Sequence, residues 1–183
     1  MRERSTLKCR RADGMTIIEL LIVLVIAGIF ATLGMPSLTD FIRQVRLSST
    51  MNELATDLYL ARSEAIKRNL RVLMCARSSA IATDKTCAAA PAAATWMNGW
   101  LICYDADSNG VCDVKLASDP NPNPIRVHAP PSSPIVLSGP AASVTFLPVG
   151  NALAVATFTM TASTTTTRTA SVATSGSVKV TKS

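Results

Sequence analysis

Gly14–Pro36 reads G-M-T-I-I-E-L-L-I-V-L-V-I-A-G-I-F-A-T-L-G-M-P, and Glu19 is its only charge. Met15–Met35 spans 21 residues, about 31 Å as a helix, enough to cross the hydrocarbon core of a bilayer. The run is too long and too uniformly apolar for a buried helix of a soluble domain. A lone carboxylate in such a span costs about 2.5–3.5 kcal/mol at mid-bilayer on insertion scales, so Glu19 is expected to have a function and a cationic partner.

The residues before the span point to that partner. Met1–Gly14 carries Arg2, Arg4, Lys8, Arg10 and Arg11 against Glu3 and Asp13, a net +3. A short basic leader ahead of an apolar run stays cytoplasmic by the positive-inside rule. A cut after Gly14 would place a new ammonium on Met15, four residues from Glu19. An ordinary secretory signal peptide shares the basic start, but Glu19 inside the apolar run and the lack of an A-x-A cleavage site argue against it. A plain signal anchor holding a periplasmic domain is the other alternative.

Gly14, Met15 and Glu19, in this order and spacing, resemble the type IV pilin family, which includes the pseudopilins of type II secretion. The resemblance implies that prepilin peptidase cuts between Gly14 and Met15 and methylates the Met15 amine. It also implies that the Glu19 carboxylate, at the fifth mature position, pairs with the amine of a neighbouring subunit. Met15 stands where the family more often has Phe.

Leader removal also resolves the cysteine count. Of the five cysteines, Cys9 lies in the leader, leaving Cys75, Cys87, Cys103 and Cys112. Four thiols in an oxidising compartment form two bridges with three possible connectivities. Cys75–Cys87 and Cys103–Cys112 are favoured because each closes a short local loop. Zinc is disfavoured, since the spacings are wide and no C-x-x-C pair occurs. The net charge of +6 over 183 residues divides similarly. The leader contributes +3, Met15–Arg68 balances five acids with five bases, and Asn69–Ser183 has eight bases and five acids.

Beyond Pro36 a helical pattern resumes, with Leu38, Phe41, Ile42, Val45, Met51, Leu54, Ala55, Leu58, Ala61 and Ala65 at three- and four-residue spacing. Met15 to Arg68 is expected to be one helix about 80 Å long, bent near Pro36, its second half amphipathic and laid against a globular domain. The stretch A-R-S-E-A-I-K-R-N at Ala61–Asn69 and the W-x-x-G-W at Trp96–Trp100 resemble the GspH/FimT branch of the family. On physics alone Arg62 and Glu64 are an exposed polar helix end, and the tryptophans are core anchors.

From Leu70 the pattern changes to short β-type runs between Gly, Pro, Ser and Asn. Strands are predicted at Leu70–Ala76, Gly99–Asp105, Val111–Lys115, Ile125–His128, Ile135–Ser138, Val144–Leu147, Leu153–Met160, Arg168–Val172 and Ser177–Thr181. Ser78–Thr95 and Asp119–Pro124 read as loops, and Asn109-Gly110 as a hairpin turn. The last stretch, rich in Thr, Ser, Ala and Val, reads as weak edge strands or a tail. The expected class is α+β, a long N-terminal helix on an antiparallel β-rich domain. Its divisions are a leader (1–14), a membrane and assembly half-helix (15–36), an amphipathic half-helix (37–68) and a periplasmic domain (69–183).

No catalytic set emerges, and no cofactor is implied. His128 is the only histidine and reads as a strand-surface residue. Asp105, Asp107 and Asn109, in D-x-D-x-N-G, match the first half of a calcium loop and Asp113 falls at its ninth position, but position twelve is Leu116, not a bidentate acid. Turn chemistry explains the same residues without metal. After Asp119 no acid remains, whereas Arg126, Arg168, Lys179 and Lys182 do, a distribution that could attract phosphate backbones. Some FimT-type minor pilins bind DNA in natural transformation through a basic G-R-x-R motif. Here the corresponding stretch is Gly176-Ser177-Val178-Lys179, with one arginine replaced by Ser and the other by Lys. That leaves Arg168, Lys179 and Lys182 as candidate DNA contacts without the bidentate arginine fork.

The resemblance implies a non-enzymatic minor pilin or pseudopilin with prepilin peptidase, other subunits and the inner-membrane assembly machinery as partners. It would be single-pass in the inner membrane, then part of a type IV pilus or type II secretion pseudopilus, near its tip. The alternative is a DNA receptor on a pilus.

Overall fold

The computed structural model describes residues 14–81, 83, 85–88, 93–113, 123–141, 143–163 and 166–182, with the backbone alone at 31–37, 93–95 and 163. Residues 1–13 of the predicted leader, with Cys9, the end of the predicted strand at 114–115, Leu116 and most of the Asp119–Pro124 loop lie outside these residues. The chain divides after Phe41 into two compact units.

Helix α1 runs Ile17–Arg68. Thr16 and Glu19 start it with a T-x-x-E capping box. The Glu19 amide donates to Thr16 Oγ1 at 3.4 Å, and the Thr16 amide donates to Glu19 Oε2 at 3.5 Å. In the first unit the apolar side chains Met15, Ile17, Ile18, Leu20–Ile26, Ile29 and Phe30 are all exposed. No helix among the described residues is long and apolar enough to cross a membrane. The predicted span Met15–Met35 runs into Ala31–Met35, whose side chains are not among those described.

In the second unit the helix has one buried stripe: Leu47, Met51, Leu54, Leu58, Ala61 and Ala65 are all fully buried, at alternating four- and three-residue steps. The predicted stripe began earlier, at Leu38. Leu38, Phe41, Ile42 and Val45 are in fact exposed, because the packed stripe, and the core it joins, begins at Leu47.

Two four-stranded antiparallel sheets complete this unit. The first has the order β3-β2-β1-β5, with β1 Arg71–Ala76, β2 Trp100–Asp105, β3 Arg126–His128 and β5 Val144–Phe146. The second has the order β4-β6-β7-β8, with β4 Val136–Ser138, β6 Ala156–Ser163, β7 Thr166–Val172 and β8 Val178–Lys182. A 3₁₀ turn, Ala93–Asn98, precedes β2. The predicted strand over Val111–Lys115 is not formed at Val111–Asp113, where the chain instead folds back as a loop and the Asp113 amide donates to the Tyr104 carbonyl at 3.0 Å.

The first sheet is apolar on both faces, which is why β1 and β2 read as unbroken apolar runs rather than alternating ones. Val72, Met74, Trp100, Ile102 and Tyr104 join the main core with the helix stripe. Leu73, Cys75, Leu101 and Cys103 form a second cluster on the other face. The second sheet alternates. Ala156, Phe158, Met160 and Ala162 point into the core, with Thr157, Thr159 and Thr161 between them less buried or exposed. Its Thr-rich sequence makes regular strands because β-branched side chains suit a half-buried pleat. Trp96 donates from Nε1 to the Pro140 carbonyl at 2.9 Å and meets Phe158 edge-on at 4.7 Å.

Candidate functional site

Gly14 and Met15 immediately precede helix α1, and Glu19 lies in its first turn. A Cβ built on Gly14 meets nothing within 4 Å, and its φ lies outside the left-handed region. Among the described residues, neither packing nor backbone conformation therefore requires glycine there. Glu19 is exposed, and its carboxylate both closes the capping box and sits at the positive end of the helix dipole. The T-x-x-E signature of this cap is a local pattern of the sequence. Around Glu19 the helix surface is apolar on every side and exposed, a surface suited to packing against other apolar helices.

The globular unit holds its polar residues in structural roles. Asp57, 1% exposed on the helix, accepts from Trp100 Nε1 at 2.8 Å and pairs with Arg126 Nε at 3.2 Å. His128 stacks flat on Trp100 with ring centroids 3.9 Å apart, and its Nε2 lies 3.2 Å from Glu53. The only histidine is thus a clamp between β3 and the helix, not a free strand-surface residue. Arg62 and Glu64 are likewise not simply an exposed helix end. Arg62 donates to the Ser175 carbonyl at 3.2 Å and packs beside Gly150 and Gly176. At Gly176, φ is +75° and an added Cβ would lie 2.0 Å from the Gly150 carbonyl oxygen, so this close approach requires glycine. Glu64 is buried and pairs with Arg68, which lies over the Tyr104 ring at 4.5 Å. Apart from the i,i+4 pair Glu64–Arg68, these contacts join residues far apart in sequence, and no local motif announces them.

Cys75–Cys87 and Cys103–Cys112 are the two disulfides, in the predicted pairing. In the Asp105–Asp113 loop, the carboxylates of Asp105, Asp107 and Asp113 lie within 4.8 Å of one another. Their oxygens already accept from the loop's own N–H groups. Asp105 takes the Asn109 and Gly110 amides at 2.9 and 3.1 Å, Asp107 takes the Asn109 amide at 3.1 Å, and Asp113 takes the Ala106 amide at 2.5 Å. This is the bonding of a tight turn, with Gly110 at φ +83°.

The three candidate DNA contacts do not form one surface. In the β7–β8 register Arg168 faces Lys182 directly, whereas Lys179 faces Ser171. The pleat therefore puts Arg168 and Lys182 on one face of the sheet and Lys179 on the other.

Residues 50–177 match the family model of the type II transport protein GspH. Residues 9–35, which include Gly14, Met15 and Glu19, match the prokaryotic N-terminal methylation motif. Among solved structures, the type IV minor pilin FimU of Pseudomonas aeruginosa is similar, at 22% identity and a TM-score of 0.51 over 77% of this chain and 92% of that one. A second crystal form of FimU gives 21% identity and 0.47 over 73% and 91%. At such identities the likeness concerns the fold. No curated protein matches the chain.

Proposed function

Because the chain belongs to the GspH family and carries the prokaryotic N-terminal methylation motif, we propose that it is a pilin-like subunit matured at Gly14–Met15 and built into a filament. The machine is a type IV pilus or a type II secretion system. Prepilin peptidase, neighbouring pilin or pseudopilin subunits and the inner-membrane assembly machinery are its partners. Before assembly the helix start holds it in the inner membrane, with residues 1–14 cytoplasmic and the β-rich unit periplasmic.

The observation that carries this reading is an exposed carboxylate at the start of a helix whose surroundings are apolar and exposed on all sides. Such a surface gains by packing among like helices, and there an unpaired Glu19 would be a buried charge. Cleavage after Gly14 creates a cation on Met15, and the Met15 amine of one subunit neutralises Glu19 of the next. Gly14 meets no demand of the fold, which supports its small size serving the peptidase instead.

The test is Glu19→Ala in the full chain, expressed beside its assembly machinery. Incorporation into filaments should fall to background, while the β-rich unit keeps both disulfides and its melting temperature. Incorporation at the unsubstituted level would overturn the charge-pairing mechanism.

A further inference from the structure

The two disulfides are not independent. Cys87 Sγ lies 3.1 Å from Cys112 Sγ, and all four sulfurs fall within 4.8 Å of one another. Both sulfurs of the close contact are bridged, so the contact is not a hydrogen bond. The cluster is also asymmetric. Cys75 and Cys103 are buried beside Leu73 and Leu101 on the outer face of the first sheet. Cys87 and Cys112 are half-buried and line a cavity of about 380 Å³ with Lys85, Thr86, Val111 and Asp113.

We propose that this cluster is a thiol-exchange site, entered by small thiols through the cavity, in which opening either native bridge yields a Cys87–Cys112 bridge. A small dithiol reduces Cys103–Cys112, becoming a cyclic disulfide and leaving thiols on Cys103 and Cys112. The Cys112 thiolate attacks Cys87 Sγ. The Cys87–Cys112 bond forms, the Cys75–Cys87 bond breaks, and its electron pair leaves on Cys75, which takes up a proton. If Cys75–Cys87 is reduced first, the Cys87 thiolate attacks Cys112 Sγ and expels Cys103. The exchange step is redox-neutral, and both routes end in the same species.

That species suits the surroundings. Its two free thiols are the buried ones, and an uncharged thiol is the form that an apolar setting accommodates at least cost. Cys103 Sγ is already 3.9 Å from the Leu73 carbonyl, where an S–H can donate. The diagonal placement of Cys75 and Cys103 across β1 and β2, with Cys75 opposite Leu101 and Leu73 opposite Cys103, disfavours a bridge between them, since diagonal neighbours are about 7–8 Å apart. The native bridges tie the 77–88 loop to β1 and the 106–113 loop to β2. The exchanged bridge ties the two loops to each other at the cavity wall.

The test uses the full chain in detergent, treated with rising dithiothreitol, quenched with acid, alkylated and mapped by peptide mass. The species gaining two labels should carry them on Cys75 and Cys103, with a Cys87–Cys112 disulfide peptide. Two labels on a native pair, Cys75 with Cys87 or Cys103 with Cys112, would overturn the proposal. So would a passage from no label to four without a two-label species. As a second measurement, a Cys75→Ser/Cys103→Ser chain should close Cys87–Cys112 under mild oxidation; two persistent free thiols would count against the proposal.

Discussion

Helix α1 is apolar along most of its length, yet its two halves use that apolarity differently. From Met15 to Val45 the large apolar side chains described are exposed, Phe41 at 63%. From Leu47 to Ala65 one stripe is fully buried against the two sheets, and the remaining faces carry Asn52, Glu53, Thr56 and Ser63. The difference lies in how the apolar residues are distributed around the axis. A stripe needs one partner surface, which this chain supplies. A helix apolar all round needs partners on every side, which the described residues of this chain do not supply, and a membrane or neighbouring helices would. The second half therefore contributes to the folding of the β-rich unit, while the first contributes to what the unit joins.

This contrast would break most visibly at Trp100, where the helix and the first sheet are bound by both packing and charge. Trp100→Ala removes a fully buried ring, unstacks His128 and leaves Asp57 Oδ2 without its indole donor. The unit should lose about 3–5 kcal/mol, at the upper end because a buried acceptor is left unmatched. Urea denaturation followed by tryptophan fluorescence and circular dichroism measures it. A loss below 1 kcal/mol would mean that this face of the helix is not the anchor described.

A matched pair sharpens the contrast within one helix. Leu54→Ala, at a fully buried position, should cost about 2–5 kcal/mol. Phe41→Ala deletes a larger side chain, yet should leave the unfolding free energy within about 0.5 kcal/mol, as exposed sites usually do. Filament incorporation should respond the other way, with Phe41→Ala reducing it in fully folded protein. Equal stability losses from the two substitutions would erase the distinction between the halves.

How much of this was legible in sequence follows the range of the contacts involved. The apolar run, its lone Glu19, the Gly14–Met15 junction and the helix ending near Arg68 are local patterns. So are the disulfides, where closing the shortest loops identifies Cys75–Cys87 and Cys103–Cys112. The start of the buried stripe is not legible, since Leu38 and Phe41 match helical spacing as well as Leu47 does. Spacing shows a face but not whether the same chain covers it. The Asp57–Trp100–Arg126 set and the His128–Glu53 pair depend on the β2–β3 register and its placement against the helix, which no window of sequence contains. Lys179 joins Arg168 and Lys182 as a candidate through its charge and its place in the Gly176–Lys179 counterpart of the G-R-x-R motif, although β8 alternation separates Lys179 from Lys182. The T-x-x-E cap is equally local, and it uses the same Glu19 carboxylate that the family resemblance gives to assembly.

That last overlap leaves Glu19 with two functions that a smaller perturbation can separate. As a cap it stabilises the helix start through Thr16; as the proposed counter-ion it would meet the Met15 amine of a neighbour. Thr16→Ala removes the cap hydroxyl and keeps the carboxylate. Its cost should be about 1 kcal/mol, confined to the first turn, and readable as faster amide exchange at Ile17–Leu20. If Glu19 matters to assembly only because it starts the helix, Thr16→Ala and Glu19→Ala should impair incorporation to similar degrees. If its charge is what the neighbour requires, Thr16→Ala should assemble nearly as well as the unsubstituted chain while Glu19→Ala does not. The exposed first half favours the second outcome. Fraying one turn alters little of its apolar surface, whereas removing the carboxylate leaves each incoming amine without a partner among apolar helices.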